Sequence, residues 1–176
     1  EAMRARMAQR AEAAPALAPD VDVMRCGGCA AKIGPGPLSR TLKRLAPAHA
    51  KAGVIVGLEA PDDAAILAAP AGKNLVQTVD FFRAFIDDPY AFGEIAANHA
   101  LNDIFAMGGA PRYALATAVV RPGPARKVEE DLFQLLSGAR ACLDREQVAL
   151  AGGHSSEGGE LAFGLSVTGE IAPDRV

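Results

Sequence analysis

From residue 53 onward, short β-branched runs are interrupted by only two helix-length segments, and that order leaves few ways to build a core. Gly53–Leu58 (GVIVGL) and Ala64–Ala68 (AAILA) read as strands flanking a Pro-Asp-Asp turn, and Asn74–Phe82 (NLVQTVDFF) reads as a buried strand. Asp87-Asp88-Pro89 then starts a helix, with Asp88 as its cap and Pro89 in its first turn. The helix is expected from Tyr90 to about Met107, ending at Gly108-Gly109. Tyr113–Val120 is another strand, closed by Pro122-Gly123-Pro124. A second helix is expected over about Arg126 to Arg145, with Val128, Leu132, Leu135, Leu136, Ala139 and Leu143 on one face. Val148–Ala151 reads as a short strand running into a Gly152-Gly153-His154-Ser155 loop, and Leu161–Gly169 as the last strand. Upstream, Gly34-Pro35-Gly36-Pro37 introduces a short helix whose Leu38, Leu42 and Leu45 share a face. Strands, helix, strand, helix, strand, strand predicts an α+β domain: one mixed or antiparallel sheet with helices on a single face.

Composition removes several classes of function. Half of the 176 residues are hydrophobic, a figure inflated by alanine, and no apolar run approaches the ~20 residues of a membrane helix. With 18 basic and 21 acidic residues the net charge is −3, so no nucleic-acid surface is implied. Three cysteines (Cys26, Cys29, Cys142) do not make a disulfide framework, which points to a reducing cytoplasm. Residues 1–24 are rich in Ala, Arg and Pro and have no apolar core of the secretory type. They read as a linker or the tail of a preceding domain, with residues 25–176 as the folded unit. Ala2–Ala14 is the one stretch there with helical character, before Pro15 and Pro19. Both ends read as cuts in a longer chain.

Asp63, Asp80 and Asp103 carry the most chemistry per residue. The first precedes a strand, the second interrupts one, and the third lies late in an alanine-rich helix. A carboxylate in an apolar setting costs several kcal/mol unless it is paired or binds a cation. Each alone is as well explained by a turn or an ion pair. Three together with few Lys or Arg near them favour a hard oxygen-ligand site, for which Mg²⁺ is the natural ion. Gly108-Gly109 reads as a helix terminus. Gly152-Gly153-His154-Ser155 is either a tight turn or a set of bare N–H groups and a hydroxyl for phosphate oxygens. The chain has no G-x-x-x-x-G-K-[ST] segment. Cys26-x-x-Cys29 lacks the second ligand pair of a zinc site and the strand–helix setting of a redox pair. A mobile linker remains open, and so does a nucleophilic Cys29 with Lys32 three residues on to favour its thiolate.

Taken in order, these segments resemble a known family. They are Gly28-Cys29-Ala30-Ala31-Lys32-Ile33, Pro61-Asp62-Asp63-Ala64-Ala65-Ile66, Gln77-Thr78-Val79-Asp80-Phe81-Phe82 and Asp87-Asp88-Pro89-Tyr90. Asn102-Asp103-Ile104-Phe105-Ala106-Met107-Gly108-Gly109, Leu150-Ala151-Gly152-Gly153-His154-Ser155 and Phe163-Gly164-Leu165-Ser166-Val167-Thr168-Gly169 complete the series. Together they are similar to the N-terminal, ATP-binding part of selenophosphate synthetases (selenide, water dikinases), within the aminoimidazole ribonucleotide synthetase-like superfamily. The resemblance covers roughly Arg25 to the end. It implies conversion of ATP, selenide and water to selenophosphate, AMP and phosphate. It also implies a homodimer whose sheets close a β-barrel, and a C-terminal domain lacking from this stretch, which is expected to be inactive alone. Carried across, Cys29 and Lys32 match the catalytic pair, with Lys32 also on the nucleotide side. Asp63, Asp80 and Asp103 match the carboxylates that hold Mg²⁺ on the ATP phosphates, and Gly152, Gly153, His154 and Ser155 match a segment near the nucleotide. Some members carry an upstream oxidoreductase-like half, a fusion that residues 1–24 would suit.

Three features depart from the family pattern. Ala30-Ala31 stand where many members have Gly-Cys, His99 stands where Asn is expected, and the C-terminal domain is absent. Two rival readings remain: a sister ATP-dependent kinase of the same fold, turning over without selenide, and a non-catalytic nucleotide-binding or dimerisation module.

Overall fold

The computed structural model describes residues 33–45, 53–59 and 64–176. Helix α1 (Pro35–Arg44) comes first, then strands β1 (Val54–Val56), β2 (Ile66–Leu67) and β3 (Asn74–Arg83). Helix α2 (Pro89–Ala106), β4 (Ala110–Val120), helix α3 (Ala125–Arg145), β5 (Ala149–Glu157) and β6 (Ala162–Ile171) follow, and Pro173–Arg175 forms a last 3₁₀ turn. Strands β1 and β2 pair as a small antiparallel unit, while the main sheet runs β3-β6-β4-β5. Its β3–β6 and β4–β6 ladders are antiparallel and its β4–β5 ladder is parallel. The architecture is the expected α+β one, with a mixed sheet. The expected helix over Ala2–Ala14 and the residue 1–24 boundary lie outside the described residues.

Local chemistry accounts for the helix ends. The Asp88 carboxylate accepts from the Tyr90 and Ala91 amides at 2.9 and 3.1 Å, satisfying donors that the first turn leaves open, and Pro89 needs none. At the other end Gly108 takes φ +72°. Its amide donates to the Phe105 carbonyl, and Gly109 donates to Ile104, both at 2.9 Å. That is the left-handed glycine stop of a Schellman turn.

The core lies between the sheet and the α2–α3 pair. Every apolar position expected on α3 is buried: Val128, Leu132, Leu135, Leu136, Ala139 and Leu143. Ala114, Ala116 and Ala118 on β4 and Ala96, Ala97 and Ala100 on α2 are also buried. Such small side chains let helices approach closely, and the alanines that inflate the composition are used there. Phe92 and Phe163 fill the middle, edge to face at 6.5 Å.

Two expectations are corrected. Asn74–Phe82 is not buried on both sides: β3 runs to Arg83 as an edge strand whose alternate residues Leu75, Val79 and Phe81 are 63%, 70% and 49% exposed. Among the described residues helices cover only one face of β3, so period-two alternation replaces the continuous burial that the apolar run suggested. Nor does β5 end at Ala151. Gly152, Gly153, His154 and Ser155 continue it, paired with Leu115, Ala116, Thr117 and Ala118 after a register shift. Glycine is required there because a Cβ on Gly153 would lie 2.8 Å from the Ala116 backbone nitrogen and carbonyl carbon.

Candidate functional site

Strand alternation and helix periodicity bring two acidic side chains to neighbouring surfaces. On β3, Thr78 and Asp80 are two residues apart and face α2, while Val79 between them points to the open side. On α2, His99 and Asp103 are one turn apart. The two pairs meet as rungs. The Thr78 hydroxyl donates to Asp103 Oδ2 at 2.6 Å, and His99 Nδ1 lies 3.1 Å from Asp80 Oδ2. His99 also packs edge-on to Phe82 with centroids 5.0 Å apart.

The surrounding charge pattern is uneven. On α3, Glu129, Glu130, Asp131 and Asp144 all sit against Arg or Lys. Glu170 of β6 is clasped by Lys73 and by Arg112 at 2.6 Å, the hydrogen bonds that hold its carboxyl below the ordinary glutamate range. Among the described residues, Asp80 has only His99 as an ion-pair partner, and Asp103 has only a neutral hydroxyl. A partly buried and an exposed carboxylate, neither with a Lys or Arg among the described residues, suit a hard divalent cation. Within the described residues no three carboxylate, imidazole or thiol groups converge closely enough to hold a metal by themselves. Asp63, the third expected ligand, lies outside the described residues, as do Cys29 and Lys32.

A second region lies at the opposite edge. There Gly152, Gly153, His154 and Ser155 line a cavity of about 620 Å³, whose walls come from α1 (Leu38, Leu42), α3 (Leu132, Leu136) and the β1–β2 unit. Thr117 and Ser166 add hydroxyls to this mostly apolar space. Chain neighbours of the undescribed residues arrive here. Ile33, bonded to Lys32, is buried and donates its amide to the Ser155 carbonyl at 3.3 Å, and Ala64, bonded to Asp63, lines the cavity.

The structure thus puts Asp80 and Asp103 on adjacent rungs of one seam, and separately the β5 segment at the cavity. Asp80, Leu165, Ala116 and Gly153 form one row across the sheet. Three strand spacings separate its ends, about 14 Å. Thr78 was not singled out from the sequence, although period-two alternation from Asp80 puts it on the same face. Cys142 is no rival nucleophile: it is 1% exposed, and burial pushes its thiol pKa up. Among the described residues no helix is long and apolar enough to cross a membrane.

Residues 61–171 match the family model of the AIR synthase related protein, N-terminal domain. Among curated proteins, a selenide, water dikinase of Nitratidesulfovibrio vulgaris is 45% identical over 153 residues, covering 85% of this chain and 42% of the relative. One from Burkholderia orbicola is 39% identical over 170 residues, covering 97% and 48%. The chain therefore spans less than half the length of these relatives. Among solved structures, thiamine-monophosphate kinase from Stenotrophomonas maltophilia superposes with a TM-score of 0.59 at 23% identity, covering 78% of this chain and 40% of that one. The hydrogenase maturation protein HypE in complex with ATP gives 0.54 at 20% identity, covering 64% and 34%. At such identities these two show the shared fold.

Proposed function

This chain belongs to the AIR synthase related proteins through their N-terminal domain, and from that premise we propose that it is the ATP-handling half of a selenide, water dikinase. The reaction is ATP + selenide + water → selenophosphate + AMP + orthophosphate. The observation that carries the reading is the Asp80–Asp103 pair, two carboxylates in adjacent rungs without Lys or Arg among the described residues. They stand in a chain whose similar proteins bear that name. Breaking two phosphoanhydride bonds requires the phosphate charge to be neutralised where it develops. Asp63, Asp80 and Asp103 are the residues that would hold Mg²⁺, and the bound ion would supply that neutralisation. Cys29 is assigned as nucleophile and selenide carrier and Lys32 as its cationic partner on the phosphoryl side. Gly152 to Ser155 are assigned to the nucleotide, with the glycine backbone and the Ser155 hydroxyl as donors.

The working form is a homodimer in the cytoplasm. Among the described residues, Leu75, Val79 and Phe81 leave an apolar stretch of β3 uncovered, and β3 is an unpaired edge. A second copy laid on that stretch would bury both, as barrel closure requires. An upstream oxidoreductase domain is the partner that residues 1–24 would join.

Phosphorus NMR of the full-length protein with ATP and Mg²⁺, kept anaerobic, tests the function. Selenide-dependent appearance of selenophosphate with AMP is expected, lost in Cys29→Ser. Equal ATP turnover with and without selenide would instead support a sister kinase, and intact ATP a nucleotide-binding module.

A further inference from the structure

Asp80 and Asp103 reach the candidate cation site from different elements, so their spacing depends on how α2 lies against β3. Only two side-chain hydrogen bonds span that gap among the described residues, and one of them is made by Thr78. At 2.6 Å it is the short, charge-assisted kind, and its direction is fixed because an ionised carboxylate only accepts. It engages Asp103 Oδ2 and, among the described residues, leaves Oδ1 to a ligand. An exposed aspartate late in a helix otherwise samples several rotamers, and the hydroxyl selects one before any ligand arrives. Thr78 itself is held by the sheet: it pairs with Val167 of β6, and its carbonyl accepts from the Ser166 hydroxyl at 3.4 Å.

We infer that Thr78 is a positioning residue for the cation site, holding the Asp103 carboxylate in one orientation on the rung next to Asp80. The inference rests on the metal reading given above. Packing of β3 on the core does not require the hydroxyl, since Val76 and Phe82 on the same face supply apolar contact.

Mn²⁺ titration of the full chain, followed by the EPR signal of the free ion, tests it with the metal alone. Thr78→Val keeps the β-branched shape and removes the hydroxyl, while Thr78→Ser restores the hydroxyl. Thr78→Val is expected to weaken Mn²⁺ binding about tenfold and Thr78→Ser to return within about twofold of the parent, with far-UV CD unchanged in both. Asp103→Asn is the reference. If it weakens binding while Thr78→Val does not, or if Thr78→Ser is as weak as Thr78→Val, the positioning role is refuted and the metal reading stands. If Asp103→Asn has no effect, the metal reading itself fails and the role of Thr78 falls with it.

Discussion

Gly93→Ala is the substitution for which helix propensity and tertiary packing give opposite signs. Gly93 lies inside α2, where alanine is favoured by about 1 kcal/mol in an isolated helix. In the folded chain α2 crosses α3 backbone to backbone. A Cβ on Gly93 would lie 2.9 Å from the Leu135 carbonyl carbon, and one on Gly138 would lie 2.8 Å from that of Tyr90. Carbon pairs rest near 3.5–4.0 Å, so the helices must part by roughly 1 Å. The obstacle is backbone and cannot rotate away, which puts the overpacking cost near the upper end of its usual range, about 3 kcal/mol. Subtracting the propensity gain leaves a net destabilisation of about 2 kcal/mol. Urea unfolding should show it as a lower midpoint with an unchanged slope, a shift of about 1 M for a slope near 2 kcal/mol/M. Gly138→Ala opens the same crossing, so the double variant should lose about 1 kcal/mol less than the two single losses together. Gly159, with open space around its Cβ position, is the control and should be neutral or slightly stabilised as alanine. A Gly93→Ala chain as stable as its parent would refute the close-approach reasoning.

The remaining predictions concern charge and assembly. Lys73 and Arg112 lower the Glu170 pKa from its ordinary 4.5, so its stabilisation is complete above about pH 4.5 and fades as the pH falls toward the lowered folded value. Glu170→Gln should therefore lower the urea midpoint at pH 7 but narrow its gap to the parent at low pH; a gap constant with pH would overturn this. Glu129 receives both Arg40 at 2.6 Å and Arg44 at 3.7 Å from α1, and Glu129→Ala should loosen α1 by about 1 kcal/mol at low salt and less at high salt. Hydrogen exchange of the α1 amides reads it, and unchanged protection would refute the clasp. Val79→Lys should turn the proposed dimer into monomers in light scattering at unchanged helix content, because Val79 touches little within its own protomer. Persistence of the dimer would move the interface elsewhere.

Features set by local chemistry were legible in the sequence. Asp80 and Asp103 stood out as charges inside apolar runs, and both face the β3–α2 seam without a Lys or Arg neighbour among the described residues. Asp88 as a cap and Gly108 as a stop follow from the hydrogen-bonding needs of one helix end. Gly152–Ser155 was expected as a loop because two adjacent glycines weaken any strand. The parallel ladder to β4 outweighs that tendency, since each paired backbone group is satisfied by a partner far away in the chain.

The sequence by itself determined the order of elements, the helix ends and the apolar face of α3, because each is written in residues within a turn or two of one another. Tertiary structure alone decided that β3 and β5 lie at opposite edges, that Thr78 meets Asp103, and that Gly93 and Gly138 are where two helices touch. Those contacts join residues about 25 to 90 positions apart and are selected by burial and by the pairing of whole strands, energies shared across the core. No local window of the chain contains them.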